Sequence, residues 1–146
     1  YEARYAQAFR DINVEWIAQY FTMEETDYKA LDNPETYILD KGGHIFIALF
    51  QGETVGVVGM IKMEDNCFEL AKMGVNGLAR GKGVGFKLGQ AVIEKARALG
   101  AQRLYLESNT LLSPAINLYY KLGFQKMTTK VPSPYARSNI QMELFL

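Results

Sequence analysis

The sequence predicts an α/β fold of the α+β kind, a mixed central sheet with helices on both faces. Three observations predict it. The elements read in one unbroken order of helix, helix, three strands, helix, strand, helix and two strands, which neither an all-helical nor an all-strand fold accommodates. The strand-like runs are short, apolar and β-branched, while the helix-like runs carry apolar residues every three or four positions. No linker composition, internal repeat or low-complexity tract divides the chain, so residues 1–146 are expected to form one domain.

The elements follow from local patterns. Between Ala3 and Tyr20 apolar residues recur at Tyr5, Phe9, Ile12, Trp16 and Tyr20, and a second helix from about Met23 to Leu31 is ended by Asn33-Pro34. Ile45 to Phe50 and Thr54 to Met63, joined by Gln51-Gly52-Glu53, read as a hairpin, and Cys67 to Val75 as a third strand. Leu88, Val92, Ala96 and Leu99 mark the buried side of a helix that begins at Val84 and is capped by Gly100. Gln102 to Glu107 is a short buried strand. Ser113-Pro114 predicts a helix start with a hydroxyl N-cap, and Gly123 the end of that helix. Phe124 to Val131 and Asn139 to Leu146 read as two closing strands joined through Pro132-Ser133-Pro134.

Composition removes several function classes. Sixteen Lys and Arg balance sixteen Asp and Glu, so no global field draws in nucleic acid or a membrane surface. The single cysteine, Cys67, excludes an internal disulfide and a multi-cysteine metal site; it reads as a small buried hydrophobe and fits a reducing, cytoplasmic compartment. The longest apolar runs fall far short of the ~20 residues that span a bilayer. No secretory segment is visible, although a chain whose first residue is Tyr1 carries little information on that point.

The most informative stretch is Glu69 to Gly89. Glycines at 81, 83 and 85, where a strand gives way to a helix, leave backbone N–H groups uncovered at the positive end of a helix dipole, an anion cradle. The nucleotide-triphosphatase loop is excluded, because the residue five before Gly81 is Asn76 and Lys82 is followed by Gly83 and not by a hydroxyl residue. The dinucleotide fingerprint is excluded as well, since its third glycine would fall on Phe86 or Leu88. What remains is Arg/Gln-x-x-Gly-x-Gly, met by Arg80, Gly83 and Gly85. This pattern resembles the phosphate loop of the GNAT superfamily of acyl-CoA-dependent N-acetyltransferases. Ala115 to Phe124, Ala-Ile-Asn-Leu-Tyr-Tyr-Lys-Leu-Gly-Phe, is similar to that family's Ala-x-x-Leu-Tyr-x-x-x-Gly-Phe segment. Phe9 to Trp16, Gly42 to Phe46 and Tyr135 to Ile140 look like a bacterial subgroup sometimes fused to a winged-helix regulator, of which no trace is present here.

The resemblance implies the GNAT fold over essentially the whole chain as a single N-acetyltransferase domain, with one further strand before Tyr1 and with the fourth and fifth strands splayed. It implies acetyl-CoA as cosubstrate and no metal. Gly81, Lys82, Gly83, Val84 and Gly85, with Arg80, fall on the pyrophosphate site; Met73, Gly74 and Val75 fall where the strand backbone pairs with the pantetheine amides and polarises the thioester. Asn109 and Ala115 complete the set. The Asn that often precedes the Leu-Tyr segment is replaced by Leu112, and Asn109 is the nearest polar substitute. Tyr119 corresponds to the tyrosine that protonates the departing thiolate; a phenol of pKa ~10 is a suitable donor. Glu69 corresponds to the glutamate base of lysine-directed members, whereas many other members use a water chain. Strand alternation places Glu69 on one face with Ala71, Met73 and Val75, and Lys72 on the other as a solvated or helix-packed stem. Gly74 suits a bulge, a close ligand approach or a packing gap.

Acceptor recognition is expected from the first two helices and the last hairpin. Glu24, Glu25 and Asp27 form an acidic cluster that suits a cationic amine or simply a solvated helix face, and Arg137 suits a carboxylate. His44 is expected to begin a strand. Three functions stay open: acetyl transfer to a small-molecule or amino-acid-like primary amine, a CoA-binding sensor with little catalysis, and acetylation of a protein lysine. The partners expected are a small-molecule amine and a second copy in a homodimer, with no nucleic acid and no membrane.

Overall fold

The computed structural model describes residues 1–146. Helices α1 (Ala6–Tyr20) and α2 (Glu25–Asp32) precede strands β1 (His44–Phe50), β2 (Glu53–Lys62) and β3 (Cys67–Val75); then follow α3 (Val84–Ala98), β4 (Arg103–Ser108), α4 (Ser113–Leu122), β5 (Gln125–Lys126) and β6 (Ile140–Phe145). The six strands form one sheet in the order β1-β2-β3-β4-β6-β5. Only the central β3/β4 pair is parallel.

That central pair opens. The ladder between β3 and β4 runs only from Cys67 opposite Arg103 to Glu69 opposite Tyr105. Beyond it β3 stays with β2 and β4 stays with β6, so the β4-facing backbone edge of Leu70 to Val75 has no strand partner. This is the expected splay between the fourth and fifth strands of the family count.

Each face of the sheet buries its own apolar cluster. On one side Leu88, Val92 and Ala96 of α3 and Tyr119 of α4 pack on Val58, Met60 and Leu70; the spacing of four along α3 is what keeps those side chains on a single stripe. On the other, Phe9, Ile12 and Ile17 of α1 pack on Ile45 and Val57. Each such large side chain withdrawn from water contributes about 1.5–3 kcal/mol. Glycine sets the approach distances: a Cβ on Gly89 would lie 2.4 Å from Leu122, and one on Gly85 3.1 Å from Leu118, so α3 and α4 meet across these two positions.

The alternation expected along β3 breaks at Lys72. Its backbone is left-handed, φ +54°, and the register against β2 shifts there, with Gly59 opposite Ala71 but Val57 opposite Gly74. One extra residue inverts the parity of everything after it. Met73 and Val75 therefore pack toward α3 and α4, on the face opposite Glu69 and Ala71, and Lys72 joins Glu69's face. Gly74 is not the bulge: α1 packs closely on it, and a Cβ there would meet Ile12 at 2.8 Å and Trp16 at 3.0 Å.

Other differences are local. Helix α2 ends at Asn33-Pro34 as expected, but Pro34 at once starts a π-type turn, Glu35–Leu39, and a 3-10 turn, Gly77–Ala79, precedes the glycine loop. Ser113 lies inside α4, with Leu112 at the N-cap position and no side-chain capping bond. The strand expected from Phe124 to Val131 shrinks to two residues because the Gln141 side chain takes over: its Oε1 accepts from the Val131 N–H at 2.9 Å and its Nε2 donates to the Val131 carbonyl at 2.8 Å. Gly100 and Gly123 are left-handed at the ends of α3 and α4, as expected.

Candidate active site

The opened β3/β4 pair is the floor of a cleft of about 860 Å³, within the range of small-molecule and cofactor sites. One end is the glycine loop. Gly81 and Gly83 have φ +76° and +81°, with no atom within 4 Å of where a Cβ would stand, so glycine is required there by conformation and not by crowding. Gly83 occupies the N-cap of α3 without a side-chain bond, and the first turn of that helix holds no acidic residue. Its first N–H groups are left for an anion. Arg80 is exposed beside the loop, its Nε 3.4 Å from the Val75 carbonyl. Lys82 alone of the loop residues singled out in the sequence does not line the cleft; Met73, Gly74, Val75, Val84, Gly85, Asn109 and Ala115 do. Asn109 is already engaged by the chain: its Nδ2 donates to the Arg137 carbonyl at 2.7 Å and its Oδ1 accepts from the Leu111 N–H at 2.8 Å.

Glu69 and Tyr119 line the same cleft. Glu69 sits on β3 at the last rung before the strands part, and its carboxyl makes no hydrogen bond to the protein. Burial and the charge of Glu107, only partly offset by Lys72, raise its carboxyl from 4.5 to about 7. Tyr119 projects from α4 against Phe124, ring centroids 6.2 Å apart, and burial pushes its phenol up to about 12. Its hydroxyl bonds to nothing in the chain, yet no buried side-chain oxygen lacks a partner, so the hydroxyl reaches the open space of the cleft. Tyr120, its neighbour, is 49% exposed and points away.

The far end of the cleft is built by an ion cluster that sequence reasoning read differently. Asp27 is fully buried and not part of a solvated acidic face. Its two oxygens accept from Arg137 Nη1 and Nη2, both at 2.6 Å, and from Lys72 Nζ at 2.6 Å, and Oδ2 also accepts from the Glu24 N–H at 2.9 Å. Burial alone would raise this carboxyl, but the bonds from Arg137 and Lys72 outweigh burial and hold it at about 2. Glu24 is turned inward to Arg137 and the Ala136 N–H; only Glu25 faces solvent, 3.5 Å from Lys29. Lys72 is thus neither solvated nor a packed stem, and the carboxylate that Arg137 holds is the protein's own. Tyr135 lies beneath both cations, 4.5 Å from Lys72 Nζ and 4.7 Å from the Arg137 guanidinium, and Trp16 is fixed by a bond from its Nε1 to Asn13 Oδ1 at 3.0 Å.

Glu107 was missed. It faces the cleft from β4, its carboxylate fixed by the Tyr105 hydroxyl at 2.8 Å and the Ser133 hydroxyl at 2.5 Å. A glutamate directly following the apolar run Leu104-Tyr105-Leu106 was the available signal. Two other residues take the plain roles expected of them. His44 begins β1 beside Phe68, outside the cleft, and burial raises the Cys67 thiol pKa, which makes it a poor nucleophile.

A family model described as the acetyltransferase (GNAT) family matches residues 9–124, from α1 through the end of α4. The chain belongs to that family. Among relatives of this GNAT chain, the uncharacterised N-acetyltransferase YjgM of Escherichia coli K12 is 37% identical over 92 residues, covering 60% of this chain and 55% of its own length. The N-acetylaspartate synthetase of Danio rerio is 35% identical over 92 residues, 62% of this chain and 33% of its own. The chain thus spans about half or less of the length of these relatives. A GNAT-family acetyltransferase from Staphylococcus aureus Mu50 superposes with a TM-score of 0.90 at 22% identity over 99% of this chain and 95% of its own. A Bacillus subtilis acetyltransferase in complex with CoA superposes with a TM-score of 0.66 at 23% identity, covering 79% and 83%. No helix is long and apolar enough to cross a membrane.

Proposed function

We propose that this chain transfers an acetyl group from acetyl-CoA to the primary amine of a small molecule by direct attack. The observation that carries the reading is that Glu69 and Tyr119, a raised carboxyl and an unpartnered phenol, open onto one cleft whose end is an uncapped, glycine-cradled helix N-terminus. The residues present fit acetyl-CoA. The loop from Arg80 to Gly85 suits the pyrophosphate, each well-made charge-assisted bond being worth roughly 1.5–3 kcal/mol, and the unpaired edge of Leu70 to Val75 suits the amides of the pantetheine arm. The cosubstrate supplies the activated acetyl thioester.

The chain's own groups then handle two protons. Glu69, with its pKa near 7, accepts a proton from the incoming ammonium or amine. Backbone N–H groups on the unpaired edge of Met73 to Val75 stabilise the carbonyl oxygen in this reading, an effect typically worth about 10²–10³ in rate. Tyr119 gives its hydroxyl proton to the departing sulfur. A C–N bond forms, a C–S bond breaks, and an acetamide and free CoA result. The test is thiol release with a panel of amines and peptides: Tyr119→Phe and Glu69→Gln are expected to lower turnover while CoA still binds. Full turnover in both variants would remove these roles. Activity confined to peptides would move the acceptor to protein lysine.

A further inference from the structure

We infer that the acceptor is an alkyl or arylalkyl amine with no carboxylate beside its amino group, admitted by Glu69 and Glu107 and held against the aromatic walls of Trp16 and Tyr135. The inference rests on the acetyl-transfer reading and narrows its substrate. A free amino acid needs a cation near the reacting amine to receive its carboxylate. The cleft's two inner cations are committed elsewhere: Asp27 takes both outer nitrogens of Arg137 and the ammonium of Lys72 at 2.6 Å, and Glu24 is a second partner of Arg137 at 3.4 Å.

Charge at this end of the cleft favours a cation. Four carboxylates, Glu24, Asp27, Glu69 and Glu107, gather with two cations, Lys72 and Arg137, leaving negative charge in excess. The other cations of the cleft wall, Arg80 and Lys121, come from the glycine loop and from α4. Glu69 has no partner in the protein, whereas every oxygen of Asp27 has at least one. An incoming ammonium supplies the missing partner; a carboxylate on the neighbouring carbon would instead be brought against Glu69 and Glu107, and like-charge contacts of this kind are discriminating. The Trp16 and Tyr135 rings, immobilised by Asn13 and by the two cations, give an apolar body a surface to lie on.

The experiment pairs each amine with the amino acid that yields it on decarboxylation: 2-phenylethylamine with phenylalanine, tyramine with tyrosine, and 3-methylbutylamine with leucine. Aspartate serves as a dicarboxylate. With the whole chain and saturating acetyl-CoA, thiol release is expected to give each amine a kcat/KM at least tenfold above its partner, and aspartate no release. Glu107→Gln, which keeps the shape and one acceptor oxygen where Tyr105 and Ser133 now donate to two, is expected to narrow that ratio mainly through KM of the amine, while Glu107→Asp retains it. Amino acids equal to or better than their amines overturn the inference and leave acetyl transfer standing. A ratio unmoved in a Glu107→Gln variant of unchanged Tm and CoA affinity overturns it too, and no release with any acceptor overturns both readings.

Discussion

Replacing Glu69 by Gln is expected to move stability and activity in opposite directions. The carboxyl titrates at 4.5 when free and at about 7 in the fold, a difference that corresponds to roughly 3 kcal/mol between its two protonation states. Because the folded value is raised, the carboxyl costs nothing below pH 4.5, where it is protonated both folded and unfolded. From pH 4.5 to 7 the unfolded chain ionises it and the folded chain does not, so stability falls as pH rises, and above pH 7 the whole penalty is present. Gln carries no such penalty. The variant should therefore match the parent at pH 4 and exceed it at pH 8 by at most about 3 kcal/mol, which for a chain of this size is on the order of 10 °C in Tm. Thermal unfolding at the two pH values reads this directly. In the same variant kcat/KM should fall about 10²–10⁴-fold, and the rise of rate with pH centred near 7 should vanish. A variant equally destabilised at both pH values, or one that keeps the limb near pH 7, would refute the placement of an unpaired base at the β3/β4 fork.

Three further outcomes follow from the same geometry. Tyr119→Phe should lower kcat by about 10² or more while leaving Tm nearly unchanged, because the hydroxyl it removes bonds to nothing in the protein. Asp27→Asn strands two buried cations and should destabilise by about 3–5 kcal/mol in chemical denaturation; in the parent, Asp27's contribution is complete above pH 3.8 and is lost as pH falls toward about 2. Gly83→Ala places a Cβ on a left-handed residue at φ +81°, which costs about 1–2 kcal/mol. It should weaken CoA binding in titration calorimetry with a smaller effect on KM for the amine.

The glycine loop and Tyr119 were legible in the sequence because both are local. Arg80, Gly83 and Gly85 sit within six residues, and the glycines are demanded by backbone geometry that no other residue meets without strain. Tyr119 is placed by the helix that Pro114 and Gly123 bracket. The order of elements along the chain was legible for the same reason, apart from the shortened β5, whose ladder is replaced by a side-chain amide from Gln141. What the sequence hid is what depends on a parity change or on long range. A single bulge at Lys72 turns Met73 and Val75 to the other face and brings Lys72 to the side of Glu69, and nothing in Ala-Lys-Met-Gly announces it. Asp27 finds Lys72 45 residues away and Arg137 110 residues away, so a helix face that reads as solvated acid is in fact the buried anchor of the acceptor end. The pattern of charge gave Glu24, Glu25 and Asp27 one environment; the fold gives them three.

The most direct measurement combines titration of CoA with thiol release from acetyl-CoA across the amine panel, with the acetamide product identified by mass. Acetyl transfer at this cleft requires that CoA bind and that at least one amine release CoA and acetamide in equal amounts, with release suppressed in Tyr119→Phe. Tight CoA binding without release for any amine or peptide would contradict it and leave a CoA-binding module in its place.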